Sequence, residues 1–141
     1  MPAENDVLEL IENTLYMQLE HVGPNVYSYD IEHVTPDLLP CVMVKVEGAQ
    51  RNEASTTKNI YKFVSVNLDI CTGRNNEFYN IKTLYDIREA ISQKLEAATL
   101  PATITDFYEV GASELEANTD TESNILKQTS TYIFLTKETD H

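Results

Sequence analysis

The sequence predicts an α+β domain, a mainly antiparallel sheet with two helices packed on it, in the order α-β-β-β-α-β-β. Two stretches repeat apolar residues at steps of three and four, the period of an amphipathic helix. Five others are rich in β-branched and aromatic residues, mostly in the alternation typical of strands. Runs of adjacent strands favour an antiparallel sheet over βαβ units. A chain of 141 residues has the size of one domain, so we expect a single domain over 1–141.

The first helix is predicted from about Asp6 to His21, with Gly23-Pro24 ending it. Its apolar stripe is formed by Leu8, Ile11, Leu15, Leu19 and Val22. The second helix is predicted from about Thr83 to Ala98, with Thr83 near its cap and Pro101 preventing a long continuation. Its stripe is the more regular of the two and is formed by Leu84, Ile87, Ile91, Leu95 and Ala98.

Five strands are predicted around these helices. Their approximate ranges are Val26–Val34, Cys41–Glu47, Tyr61–Cys71, Ile104–Val110 and Thr129–Lys137. The second and third are joined by a polar first connector, residues 48–59, which predicts an antiparallel hairpin with a long tip. An acidic second connector, residues 111–128, precedes the last strand. That strand has Ile133 and Leu135 on the face opposite Tyr132 and Phe134, so we expect both of its faces to be covered.

The chain is strongly acidic, with 10 Lys and Arg against 23 Asp and Glu and a formal charge of −13. This balance disfavours binding to phosphate backbones and to anionic membranes. Residues 1–44 hold eight acids and no Lys or Arg, and residues 101–141 hold eight acids and two bases. If the two ends meet in the fold, they give one face a strong negative potential. The alternative is a solvated acidic surface that aids solubility.

Targeting signals and cysteine frameworks are not evident. The first residues lack the basic and apolar regions of a secretory signal, and no window reaches the roughly 20 apolar residues of a membrane span. Cys41 and Cys71 are too few for a disulfide scaffold. We therefore expect a soluble protein made in a reducing cytosol, with both thiols reduced in or near the core.

Motifs for catalysis are also missing. No nucleophile elbow, P-loop or dinucleotide-binding glycine pattern occurs. His33 lies next to Asp30 and Glu32, but strand alternation places these carboxylates on the face opposite His33, so we expect no metal site there. No sequence feature indicates that either cysteine is an activated nucleophile. We expect no enzyme, no cofactor and no metal.

The order of elements points to a family. An amphipathic helix leads into the run Leu39-Pro40-Cys41-Val42-Met43-Val44, a proline followed by a short apolar strand. A polar hairpin tip, a long valine-rich strand, the helix TLYDIREAISQKLEAA, a strand, an acidic connector and an aromatic last strand follow. In this order, over nearly its whole length, the chain resembles the tail terminator (tail completion) and head–tail neck proteins of long-tailed bacteriophages.

The resemblance implies a structural protein of the virion tail or neck, assembled in the host cytoplasm. Such proteins form hexameric rings of identical copies that cap the tail tube and end its polymerisation. The implied partners are further copies of the chain, the tail tube protein and a head-completion or connector protein. Genome DNA passes through the ring without specific binding, and an acidic channel lining, which repels phosphates, fits that role.

Within this interpretation, the two connectors are the expected contact surfaces. Their candidate interface residues are Arg51, Asn52, Glu53 and Lys58 in the first and Glu114, Glu116, Asp120 and Glu122 in the second. The alternative for all of them is an ordinary mobile loop in solvent.

Two rival functions remain open. An acidic binding protein, such as a DNA mimic that inhibits a nucleic-acid enzyme, would use arrayed carboxylates in place of phosphates. Its affinity for a basic partner would depend strongly on salt. A small enzyme would instead require a concave pocket with convergent polar groups.

Overall fold

The computed structural model describes residues 3–28, 38–73, 77–117 and 125–139. Within these ranges the protein has two helices and six strands. In chain order they are α1 (Ala3–Leu15), β1 (Val26–Tyr27), β2 (Cys41–Arg51), β3 (Asn59–Gly73), α2 (Glu77–Ala97), β4 (Ile104–Ala112), β5 (Glu116–Ala117) and β6 (Ile125–Thr139). Neither helix is long and apolar enough to cross a bilayer in the part of the chain described.

The strands form one sheet in the order β1-β2-β3-β6-β4. Every pairing is antiparallel except that of β1 with β2, which is parallel. The two-residue β5 pairs with β6 at Lys127 and Leu126, beyond the residues of β6 that pair with β4. The predicted α+β class and element order are confirmed, with β5 added inside the second connector.

The first helix ends six residues before its predicted end at His21. Met17 has a φ of 62°, which a right-handed helix cannot accommodate, so the chain turns after Leu15. Gly23, at a φ of 58°, closes this turn by accepting a hydrogen bond from the Met17 N–H through its carbonyl, at 3.0 Å. Leu19 and Val22 are buried by the turn and not by helix. The helical spacing of buried residues therefore continues through Leu19 and Val22, although the helix itself ends at Leu15.

The second helix begins at Glu77 and not near Thr83, which is buried in its interior. No glycine or proline lies between Glu77 and Thr83, so nothing in that stretch opposes helix. The predicted stripe is confirmed at Leu84, Ile87, Ile91 and Leu95, each at most 1% exposed, and Ala98 packs against it half-buried.

The predicted hairpin is present and is longer than expected. β2 and β3 pair from Cys41–Cys71 to Arg51–Lys62, with one bulge between Val46 and Gly48. Only residues 52–58 lie outside the two strands. Arg51 is therefore a strand residue, and the first connector is a seven-residue tip.

Both helices pack on the same face of the sheet, as predicted. That face contributes alternate residues of the three central strands, and its buried members are Val42, Val44, Val64, Val66, Leu68, Ile70, Tyr132 and Phe134. Phe107 of β4 stacks on Phe134 with ring centroids 5.4 Å apart. Such aromatic pairs add to the burial of apolar area, which is the main stabilising term of the core.

A second, smaller cluster lies on the opposite face. It consists of Cys41, Met43, Cys71 and Ile125, and Tyr27, Leu38 and Leu39 pack against it. The strand predicted from Val26 to Val34 is confirmed only at β1, and its part from residue 29 onward lies outside the described ranges, as do Asp30, Glu32 and His33.

Candidate interaction surfaces

The hairpin tip, residues 52–58, holds its shape through its own hydrogen bonds. The Asn52 N–H donates to the Tyr61 carbonyl at 2.8 Å, and the Asn52 side-chain oxygen accepts from the Ala54 N–H at 3.0 Å. Arg51 Nη2 donates to the Thr56 carbonyl at 3.3 Å. The side chains of Glu53 and Lys58 are exposed. The tip thus presents two opposite charges on an ordered turn.

The second connector is held against β6. Ser113 Oγ accepts a hydrogen bond from the Thr129 N–H at 3.0 Å, and Gln128 Nε2 donates to the Ser113 carbonyl at 2.9 Å. Glu114 is exposed, and Glu116 Oε2 lies 3.9 Å from Lys127 Nζ. Asp120 and Glu122 lie outside the described residues.

The two connectors lie at opposite ends of the sheet. Arg51 pairs with Lys62, which pairs with Thr136 of β6, whereas Glu116 pairs with Lys127 of β6. Nine residues separate Thr136 from Lys127 along this strand, which corresponds to about 30 Å of extended chain. The structure places the described members of the two predicted sets at opposite ends of the sheet and does not bring them together.

Among the described residues, an apolar strip crosses the sheet face opposite the helices, and neither helix packs on it. Leu135 pairs with Phe63 and with Asp106, and Ile133 pairs with Ser65 and with Tyr108. The open-face strip is defined by Phe63, Tyr108, Ile133 and Leu135. Its members are half-buried except Tyr108, which is 52% exposed. Aliphatic and aromatic side chains grouped on a surface are typical of protein–protein contacts.

The strip is not among the contact surfaces that the sequence predicts. The alternation of the last strand predicts a second apolar face at Ile133 and Leu135, with a cover over it. In the described ranges both helices lie on the other face, so the helices do not supply that cover. The signal for the strip was therefore present in the alternation of residues 131–135.

Polar side chains continue from the strip along the same face. Thr131 Oγ1 donates to Asn67 Oδ1 at 2.9 Å, and Thr129 Oγ1 donates to Asp69 Oδ1 at 2.5 Å. At the other end, Lys137 Nζ lies 5.9 Å from the centre of the Tyr61 ring. The surface beside the strip is therefore polar and carries charges of both signs, with Asp69 and Lys137 each held by a neutral partner.

The helix side of the protein is different, because α1 and the turn after it are acidic. Residues 3–22 carry five acids and no Lys or Arg, and Glu9, Glu12 and Glu20 are exposed. The two acidic ends do meet in the fold: the Ala3 N–H donates to Glu138 Oε1 at 2.6 Å. Lys62 Nζ lies 3.8 Å from both Glu4 Oε1 and Glu138 Oε2. This lysine partly neutralises the junction and leaves the outer face of α1 negative.

An ion pair connects α2 to β4 above a buried tyrosine. Arg88 donates to Glu109 Oε1 from Nη2 at 2.8 Å and from Nε at 3.2 Å, so both donors bind one oxygen. Tyr132 is 1% exposed beneath them. Burial raises the pKa of Tyr132 to about 12, and the charge of Glu109 acts in the same direction. This tyrosine is therefore neutral at every physiological pH.

A groove of about 650 Å³ runs between α1 and the C-terminal end of α2. Leu10, Ala98 and Leu100 give it an apolar lining, with Asp6 and Lys94 among its charged residues. It is open to solvent and does not enclose a ligand. Among the residues described, no group of three or more His, Cys, Asp or Glu side chains could hold a metal ion.

Comparison with known proteins identifies the fold. No model of a protein family matches the sequence. No curated protein matches it either. Among solved structures, the chain is similar to a protein of the "virion of native gene transfer agent (GTA) particle". The TM-score is 0.63 at 11% identity, and the match covers 96% of this chain and 98% of that one. At this identity the likeness is one of fold.

Proposed function

We propose that this chain is a virion structural protein of a phage or phage-like particle, and specifically a tail terminator. Identical copies assemble into a closed, hexameric ring that caps the tail tube, ends its polymerisation and joins the tail to the head connector. The observation that carries the proposal is the shared fold with a protein of a gene transfer agent virion over nearly the full length of both chains. The element order of the terminator family supports the finer role.

The positions of the two connectors support a protein that is contacted by one partner at each end of its sheet. One polar connector lies at each end of the sheet, about 30 Å apart along β6. A ring between a tube and a connector needs one contact surface facing each partner. We assign one end to each, with the hairpin tip and the second connector as the contacting segments.

The open-face strip supplies the contact between neighbouring copies. Each copy carries a charge of −13, and the exposed acids of α1 would repel one another if copies met through their helices. The strip is apolar and charges of both signs lie beside it, so we assign the contact between copies to this face and not to the acidic helix side. A ring requires a heterologous contact, in which this strip docks on a different surface of the next copy.

The test is assembly in vitro with a matched pair of variants. Light scattering with mass determination and negative-stain microscopy should show rings, alone or on addition of the tail tube protein, and tubes should be shorter when the chain is present. Tyr108→Glu should abolish rings, because it places a charge in the strip. Tyr85→Glu on α2 is the control, since Tyr85 is 47% exposed but lies on the helix side.

Salt distinguishes this function from that of a DNA mimic. Ring formation should be stronger at about 0.5 M than at about 0.05 M salt, because screening weakens repulsion between acidic copies. A mimic would instead lose affinity for its basic partner as salt rises. A strict monomer that leaves tube length unchanged at high concentration would refute the proposal.

A further inference from the structure

Two cysteines face each other in the cluster behind the sheet. Cys41 of β2 and Cys71 of β3 are direct partners in the antiparallel register, and both are fully buried. Both are free thiols. Sequence spacing gave no sign of this pairing, because thirty positions separate the two residues and the hairpin register alone brings them together.

The register places the two residues within range of a disulfide bond. Residues directly opposite in an antiparallel pair have Cα atoms about 4.5 or 5.5 Å apart, depending on the hydrogen-bonding pattern. Disulfides join Cα atoms separated by about 4.4–6.8 Å. Either separation therefore lies within the Cα range of a disulfide.

We propose that Cys41 and Cys71 form a latent disulfide that is open in the reducing cytosol and closes when the assembled particle meets hydrogen peroxide outside the cell. The setting rests on the proposed function, because a virion protein is made inside a cell and then works outside it. The bond would join β2 to β3 at the level of Lys127, the end of the sheet that carries Glu116.

The environment assigns different roles to the two sulfurs. A hydrogen bond from the Cys71 thiol holds the pKa of Cys41 below its usual value, and the same bond together with burial raises the pKa of Cys71. The sulfur with the larger thiolate fraction is the attacking one. We therefore expect Cys41 to attack peroxide and Cys71 to resolve the product, an order that the single variants below test.

The reaction balances without any further reagent. The Cys41 thiolate attacks one oxygen of hydrogen peroxide, the O–O bond breaks, and hydroxide leaves and takes up the proton of Cys41 as water. The product is a sulfenic acid on Cys41. The sulfur of Cys71 then attacks that of Cys41, the S–O bond breaks, and the leaving hydroxide takes the Cys71 proton as water. Two thiols are oxidised by two electrons, and one peroxide is reduced to two waters.

The described residues bury both sulfurs, which favours a small oxidant. Tyr27, Leu38 and Leu39 are partly buried where they pack on the cluster, and Met43 and Ile125 are 5% and 8% exposed. Hydrogen peroxide is close to water in size and needs only a small opening of this cover.

The experiment uses the purified, folded full chain treated with hydrogen peroxide. The intact mass should fall by about 2 Da, the two hydrogens lost when a disulfide forms, and not rise by about 16 Da per oxygen added. Digestion should release a peptide containing both Cys41 and Cys71. The urea midpoint should rise on oxidation and return on reduction, because a closed loop restricts the unfolded chain.

Single variants test the order of the two steps. Cys71→Ser should accumulate a sulfenic acid on Cys41 that a dimedone probe captures, whereas Cys41→Ser should react far more slowly. The wild-type mass and peptide map require no variant and stand if either variant fails to fold. Two thiols that remain free to alkylation after unfolding, or a bond between chains, would overturn the proposal. Because the isolated chain suffices, a negative result here is separable from a failure to form rings.

Discussion

Ile91→Ala tests how much the packing of α2 on the sheet stabilises the fold. Ile91 is 1% exposed, and its neighbours one turn away on either side, Ile87 and Leu95, are equally buried. The void left by truncation is enclosed by packed side chains and the sheet, so it cannot collapse. Removing an enclosed aliphatic side chain costs about 3–5 kcal/mol, the upper part of the range for such changes.

For a domain of 141 residues, that loss lowers the melting temperature by roughly 10–17 °C. Circular dichroism during heating and urea titration measures both quantities, and the dependence of the unfolding free energy on urea should not change. Ile91→Asp should cost more, because it also buries an unpaired charge. Asp86→Ala, at an exposed position of the same helix, is the control and should stay within about 0.5 kcal/mol. If Ile91→Ala has the same melting temperature as the wild type, the helix does not pack as described.

Three further predictions concern positions away from this helix stripe. The free energy of unfolding, measured by urea titration, should fall between pH 9 and pH 11.5. This fall should be smaller in Tyr132→Phe than in the wild type. The reason is that unfolded tyrosine ionises near pH 10 while the buried side chain, with its raised pKa, stays neutral to about 12; equal losses would contradict it. Glu116→Ala should leave the melting temperature unchanged, since its ion pair with Lys127 is exposed. Gly23→Ala should cost about 1 kcal/mol in urea titration, because a side chain at φ 58° is strained although no atom crowds it, and an unchanged midpoint would argue against the left-handed turn.

The sequence predicted most of the fold because its periodic signals are strong and local. The stripe from Leu84 to Leu95 and the valine alternation of β2 and β3 identify their elements without tertiary information. The predicted end of α1 was wrong because Leu19 and Val22 continue the helical spacing while they lie in a turn at Met17. Periodicity reports which residues are buried and does not distinguish a helix from a turn that buries the same side chains.

The interaction surfaces were less predictable, and for a physical reason. Composition singled out the connectors, whose polar residues are local in sequence. The open-face strip joins Phe63, Tyr108 and Ile133, which come from three strands and meet only through the sheet register. The cysteine pair depends on the same register. Long-range pairing creates these features, so reading one segment at a time does not find them.

The contact between Ala3 and Glu138 has a practical consequence for handling the protein. Both extremities of the described chain lie beside Lys62, at the end of the sheet nearest the hairpin tip. A purification handle or fluorophore attached beside Ala3 or Thr139 would therefore lie at that end and leave the Glu116 end unobstructed. Immobilisation at either position would hold the hairpin-tip end toward the support, so that binding to the Glu116 end could be measured by itself.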